Sequence, residues 1–199
     1  LVELAERGFP PEFLSGVRGA YVKVGHDAYG ATFYPASNTI SVNDGMLSRA
    51  SKISRDQGDA RGFIHAVAHE LFHYADYRNG YTVPTRGKTL PAFKATPVIS
   101  DAGSIQPMSL DLGSVNQEIV ELWQSGDDVI GEQFRYPLSL LGRKLRDANQ
   151  ADSGGEPVQT NKVASWLSQE IFAQLGAIYL STPRELKKRA PKAYAMMRS

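Results

Sequence analysis

The sequence predicts an α+β domain, and three observations predict it. Short β-branched and aromatic runs alternate with Gly, Asn and Asp turns between residues 17 and 43; a proline-free stretch over 60–77 repeats apolar residues at helical spacing; and the C-terminal half reads as successive helices. The strand candidates are 20–24, 31–34 and 39–42, enough for a small sheet. Phe63, Val67, Leu71 and Tyr74 form the buried stripe of a helix over about 60–78, which Asn79-Gly80 ends with a left-handed cap. From 82 to 107 proline and glycine are frequent and periodicity is poor, so this is loop with at most one short strand. Helices are expected at 114–124 and 137–148. The breaker cluster 151–157 precedes an apolar helix carrying Trp166, Leu167, Ile171, Leu175, Ile178 and Tyr179. Thr182-Pro183-Arg184-Glu185 then reads as the cap of another short helix, which stops before Pro191.

The chemistry is concentrated in His69-Glu70-Leu71-Phe72-His73. On a helix, residues four apart lie one turn above each other, so His69 and His73 can direct ring nitrogens at one metal ion. Glu70 falls one step round the helix, beside the metal rather than on it, where a carboxylate can accept a proton from polarised water and later return it to a leaving amine. That pattern is the core of a zinc-dependent peptidase, with one zinc per chain. With only four histidines in 199 residues, a chance match is the weaker explanation. His65 extends the row to three, but His65 and His73 are separated by about 12 Å of helix rise, so His65 suits a supporting or packing role. His26 lies in a loop-like stretch with no evident partner.

A catalytic zinc takes three protein ligands and keeps one position open. Four acidic groups compete for the third. Asp76 lies three residues beyond His73 and is better placed to accept an N–H from a ligand histidine. Glu118 and Glu121 lie in one expected helix and Glu170 in another, and spacing alone favours neither.

Residues 69–81, HELFHYADYRNGY, resemble the active-site helix of the lethal-factor-like zinc metallopeptidases, the group of anthrax lethal factor and the Pro-Pro endopeptidases; the likeness extends to Asp76, Gly80 and Tyr81. Residues 170–194, EIFAQLGAIYLSTPRELKKRAPKAY, are similar to that family's Glu-Phe-Phe-Ala-Glu helix and its Ala-Pro-Lys-x-Tyr-like ending. A weaker echo, YPASNTISV at 34–42, resembles the strand before the active-site helix. The resemblance implies that Glu170 is the third ligand, a gluzincin-type site, and a zincin-like fold with the strands at the lip of a cleft and two helices on its floor. It also implies a secreted or translocated bacterial toxin or effector that cleaves a specific protein target. Two positions depart from the pattern. Val163 stands where the family has an oxyanion-stabilising tyrosine, and Gln174 replaces the second glutamate. Loss of one oxyanion donor costs about 10²–10³ in rate; another phenol can substitute, with Tyr136 the first candidate and Tyr81 the next.

At 42% hydrophobic the chain can bury one substantial core, which fits a single domain over 1–199 made of a sheet-containing part (1–58), the active-site helix (59–80), a long insertion (82–160) and the glutamate-helix region (161–199). Charge is balanced, 22 Lys+Arg against 21 Asp+Glu, which gives no electrostatic case for nucleic-acid binding. Lys187, Lys188, Arg189 and Lys192 read as a solvated helix face. With no cysteine there is neither a disulfide nor a thiol nucleophile. No apolar run is long enough to span a membrane, and no signal peptide is visible. The insertion is longer than the resemblance leads one to expect, and it is a candidate for substrate or partner contact. Two other readings fit the same residues: a catalytically degenerate zinc-binding interaction module, and a zinc hydrolase acting on a non-peptide amide.

Overall fold

The N-terminal strand candidates pair into a three-stranded mixed sheet. In the computed structural model, which describes residues 19–23, 31–44, 61–82, 90–98, 109–152 and 158–199, this sheet holds β1 (Gly19–Lys23), β2 (Ala31–Tyr34) and β3 (Thr39–Asn43) in the order β1-β3-β2. Strand β1 runs parallel to β3 with Gly19 opposite Thr39, and β2 runs antiparallel to it with Phe33 opposite Ile40. Paired on both sides, β3 buries Ile40, Ser41, Val42 and Asn43 in succession, whereas β2, at the edge, buries Phe33 alone. The turn between them holds Asn38 at φ +52°, a conformation that asparagine tolerates through its short polar side chain.

Helix α1 (Arg61–Asn79) ends where Gly80 takes φ +72°, the left-handed position that a Cβ disfavours. Its buried apolar residues are Ile64, Ala68, Leu71, Phe72, Tyr74 and Ala75. Val67, expected on the buried stripe, is only half-buried, and the side chain of Phe63 lies outside the described residues. The difference arises because α1 packs on more than one side. Phe33 meets Tyr74 edge-on with ring centres 5.5 Å apart and Tyr77 at 6.0 Å, so burial follows several neighbours rather than one face.

The described residues fall into two compact units, Leu1–Arg78 with Ala173–Pro183, and Asn79–Phe172 with Arg184–Ser199. In the second, β4 (Ala95–Val98) and β5 (Ser109–Leu112) form an antiparallel pair with Ala95 opposite Leu112. They are followed by α2 (Ser114–Gln124), a 3₁₀ turn at Gly131–Phe134, α3 (Arg135–Asp152), α4 (Val158–Ser181), α5 (Pro183–Arg189) and α6 (Pro191–Arg198). The protein is therefore α+β and rich in helix. Strand β5 is not among the expected elements; its four residues are too short for alternation to be distinctive. Phe93, Val115, Ile119, Ile130, Phe134, Leu167, Ile171 and Leu186 are buried in this unit. Asn116 ties three segments of it together, its amide N–H groups donating to Phe93 O at 2.8 Å and to Ser168 Oγ at 3.3 Å. No described helix is long and apolar enough to cross a membrane.

Two carboxylates act as remote caps. Both oxygens of Glu118 on α2 accept main-chain N–H groups from the first turn of α6, Lys192 at 3.2 Å and Ala193 at 2.8 Å, where Pro191 offers none. Asp127 Oδ1 accepts the N–H groups of Val129, Ile130 and Gly131 at 3.1, 2.6 and 3.0 Å, while Oδ2 pairs with Arg189. Arg189 also donates to Glu185 at 3.2 Å, so the basic cluster is not uniformly a solvated face: one of its members is a structural ion pair.

Burial pushes the Asp127 carboxyl upward, but the Gly131 N–H, the Arg189 guanidinium and the N–H groups of Ile130 and Val129 outweigh it and hold the group at about 2. A folded pKa below the unfolded value of about 3.9 means that the contribution is complete above that range and disappears as pH falls toward the folded value. Asp127→Ala is expected to lower stability by about 1–2 kcal/mol at neutral pH. In urea unfolding at stepped pH, its deficit against wild type should shrink between about pH 5 and pH 2.

Candidate metal centre

Helix α1 delivers His69 and His73 one turn apart, with near-perpendicular rings whose centres are 4.6 Å apart. Their Nε2 atoms approach to 3.0 Å. Two imidazole lone pairs at that distance repel unless a proton or a cation lies between them, so the hydrogen bonding of the other ring nitrogens decides what they can hold. His69 Nδ1 lies 3.0 Å from Oε1 of Gln174, an atom that only accepts. The ring proton therefore sits on Nδ1, and Nε2 carries the lone pair that a metal needs.

Glu170 stands one turn before Gln174 on α4, on the same face, so one helix supplies both a carboxylate and the group that orients His69. A ligand atom from each of His69, His73 and Glu170 lies within 4.8 Å of the other two. Two imidazole nitrogens and one carboxylate oxygen form a donor set suited to a divalent ion of zinc type. The rival carboxylates are committed elsewhere: Glu118 to the first turn of α6, and Glu121, exposed, to the amide of Gln117 at 2.7 Å. Asp76 is 1% exposed on α1 and does not belong to the converging trio.

The packing that brings Gln174 to His69 rests on a glycine. Gly176 is buried against the Phe72 ring, and a Cβ built on it would overlap atoms of that ring. Main chain of α4 and aromatic face of α1 therefore touch at a distance no other residue at 176 permits.

Glu70 is buried, and its Oε2 accepts the main-chain N–H of Phe33 in edge strand β2 at 2.7 Å. The carboxylate next in sequence to His69 is thus fixed by the sheet. At the other end of the Gln174 amide, Nε2 lies 2.9 Å from Nε2 of His65. Burial, opposed by the Gln174 hydrogen bond and assisted by nearby His69, lowers the His65 pKa, which favours the neutral ring. Tyr136 stands 71% exposed at the start of α3, and Tyr81 packs against Phe172 with ring centres 5.3 Å apart. Val163 is buried. His26 lies outside the described residues.

Two parts of the site are not among the residues singled out from the sequence. The Phe33 N–H is a main-chain donor that any residue except proline provides. Gly176 could have been noticed as a lone glycine inside an apolar helical pattern, a frequent mark of close packing.

Glu170→Ala is expected to abolish stoichiometric binding of a divalent metal, whereas Glu118→Ala should retain it and lose about 1–2 kcal/mol of stability through the uncapped α6; elemental analysis and thermal melting on the same preparations check both. Gly176→Ala should cost about 1–3 kcal/mol by overpacking and weaken metal binding as well, because Gln174 rides on the same turn. An unchanged melting temperature would refute the close-contact assignment. The chain matches no family model, no curated protein and no solved structure.

Proposed function

We propose that this chain is a zinc-dependent endopeptidase of gluzincin type with a zincin-like catalytic fold. The observation that carries the reading is the convergence of His69, His73 and Glu170 beside a buried Glu70 anchored to the sheet. A zinc ion held by the trio would supply Lewis acidity for a scissile carbonyl and a water made acidic in the neutral range. The chain's own residues do the rest. His69 and His73 present lone pairs, with Gln174 fixing the tautomer of His69. Glu70, held through Oε2 by the Phe33 N–H, takes the proton of the attacking water and delivers it to the leaving amine.

Strand β2 lies at an edge of its sheet and makes the contact with Glu70, and an edge strand offers main-chain groups to an extended peptide. That favours a peptide or protein substrate over a small amide. The resemblance to lethal-factor-like peptidases supports a narrow protein target and delivery as a secreted or translocated bacterial toxin or effector, with the 82–160 region as the part to contact substrate or partner. One observation favours a second reading, a zinc-holding interaction module without catalysis: Val163 is buried and apolar where the resemblance expects an oxyanion donor.

Glu70→Gln separates the two. The enzyme reading expects full zinc content together with a loss of about 10²–10⁴ in cleavage of a peptide-library substrate, the usual worth of a general base. Chelator-sensitive cleavage that survives the substitution unchanged would overturn the assigned role of Glu70, and absence of any cleavage by wild type would favour the module.

A further inference from the structure

We infer that His65 is a positioning residue: by accepting a hydrogen bond from the Gln174 amide it fixes which end of that amide faces His69, and so the tautomer in which His69 offers Nε2 to the metal. The inference rests on the metal-binding reading and assigns a role to the third histidine of α1.

A glutamine amide keeps its shape when its two ends exchange, but one end only accepts and the other only donates. Gln174 lies between two imidazoles, with Oε1 3.0 Å from Nδ1 of His69 and Nε2 2.9 Å from Nε2 of His65. With a metal on Nε2 of His69, its Nδ1 must carry the proton and requires an acceptor, which only Oε1 supplies. The amide NH₂ is then turned to His65, whose Nε2 must accept. Exchanging the ends would set NH₂ against the His69 N–H and Oε1 against the His65 lone pair, two like contacts at once. A carboxylate at 174 would not need this arrangement, since both of its oxygens accept. His65 matters because residue 174 is an amide.

That dependence supplies the test. Zinc affinity is measured by competition with a chromophoric chelator on wild type, His65→Leu, Gln174→Glu and the double variant, with His73→Ala as control. His65→Leu is expected to weaken zinc binding about 10-fold when residue 174 is the native glutamine, the lower range for groups that orient a ligand, and less than about 2-fold when it is combined with Gln174→Glu. An equal penalty in both backgrounds would make His65 a packing residue and overturn the inference while leaving the metal reading intact. No zinc on wild type, or undiminished affinity in His73→Ala, would overturn both. Should His65→Leu fail to fold, nitrogen-15 spectra of the imidazoles in zinc-loaded wild type decide the matter: protons on Nδ1 of both His65 and His69 are expected, and a proton on Nε2 of His65 refutes it.

Discussion

Close approach of the Phe72 ring to the main chain at Gly176 is the constraint on which the placement of Gln174 against His69 depends. Helices usually pack with axes about 8–10 Å apart, set by the side chains at the contact. Removing the side chain at 176 lets an aromatic face take its place, and the turn of α4 that follows Glu170 is carried in with it. Gln174 lies two residues before the contact and reaches His69; Glu170 lies one turn earlier on the same face. A packing decision made by one glycine thus sets a hydrogen bond, the hydrogen bond sets a tautomer, and the tautomer places the lone pair of His69 on Nε2.

Three of the described carboxylates are held by main-chain N–H groups. Glu70 takes the amide of Phe33, Glu118 the first turn of α6, and Asp127 three successive amides together with Arg189. Charge-assisted bonds of this kind are stronger than neutral ones and leave few buried donors unsatisfied. The arrangement also sorts acidic groups by role. A carboxylate saturated by a helix terminus has little capacity left for a cation, which is why Glu118, carried by a helix as Glu170 is, is not part of the trio.

Helix positions are legible in the sequence to within a few residues, because long periodic segments with glycine and proline stops identify themselves: α1 is expected over about 60–78, and α2 at its observed limits. The His69–Glu70–His73 spacing is legible for the same reason, since it needs only a helix to become a site. Glu170 is not legible from spacing, and only a resemblance singles it out from Glu118 and Glu121. What distinguishes them is contact between segments distant in sequence, such as Glu118 with residues 192 and 193, and no local pattern encodes that. The phase of α1 departs from expectation at Val67 because a helix with several neighbours need not bury one stripe. The amide of Phe33 is invisible for a deeper reason, being a property of the chain rather than of a residue.

The turn at 35–38 bears on the same amide. Donors along a strand point alternately to one side and the other, so which amide meets Glu70 is decided by the register of β2 against β3, and a slip of one residue would turn that donor away. Asn38, in its left-handed conformation, helps to hold the register. A surface turn therefore has mechanical leverage over the Glu70 carboxylate: its shape is transmitted along a few peptide units as a choice between offering Glu70 a proton donor and offering it nothing.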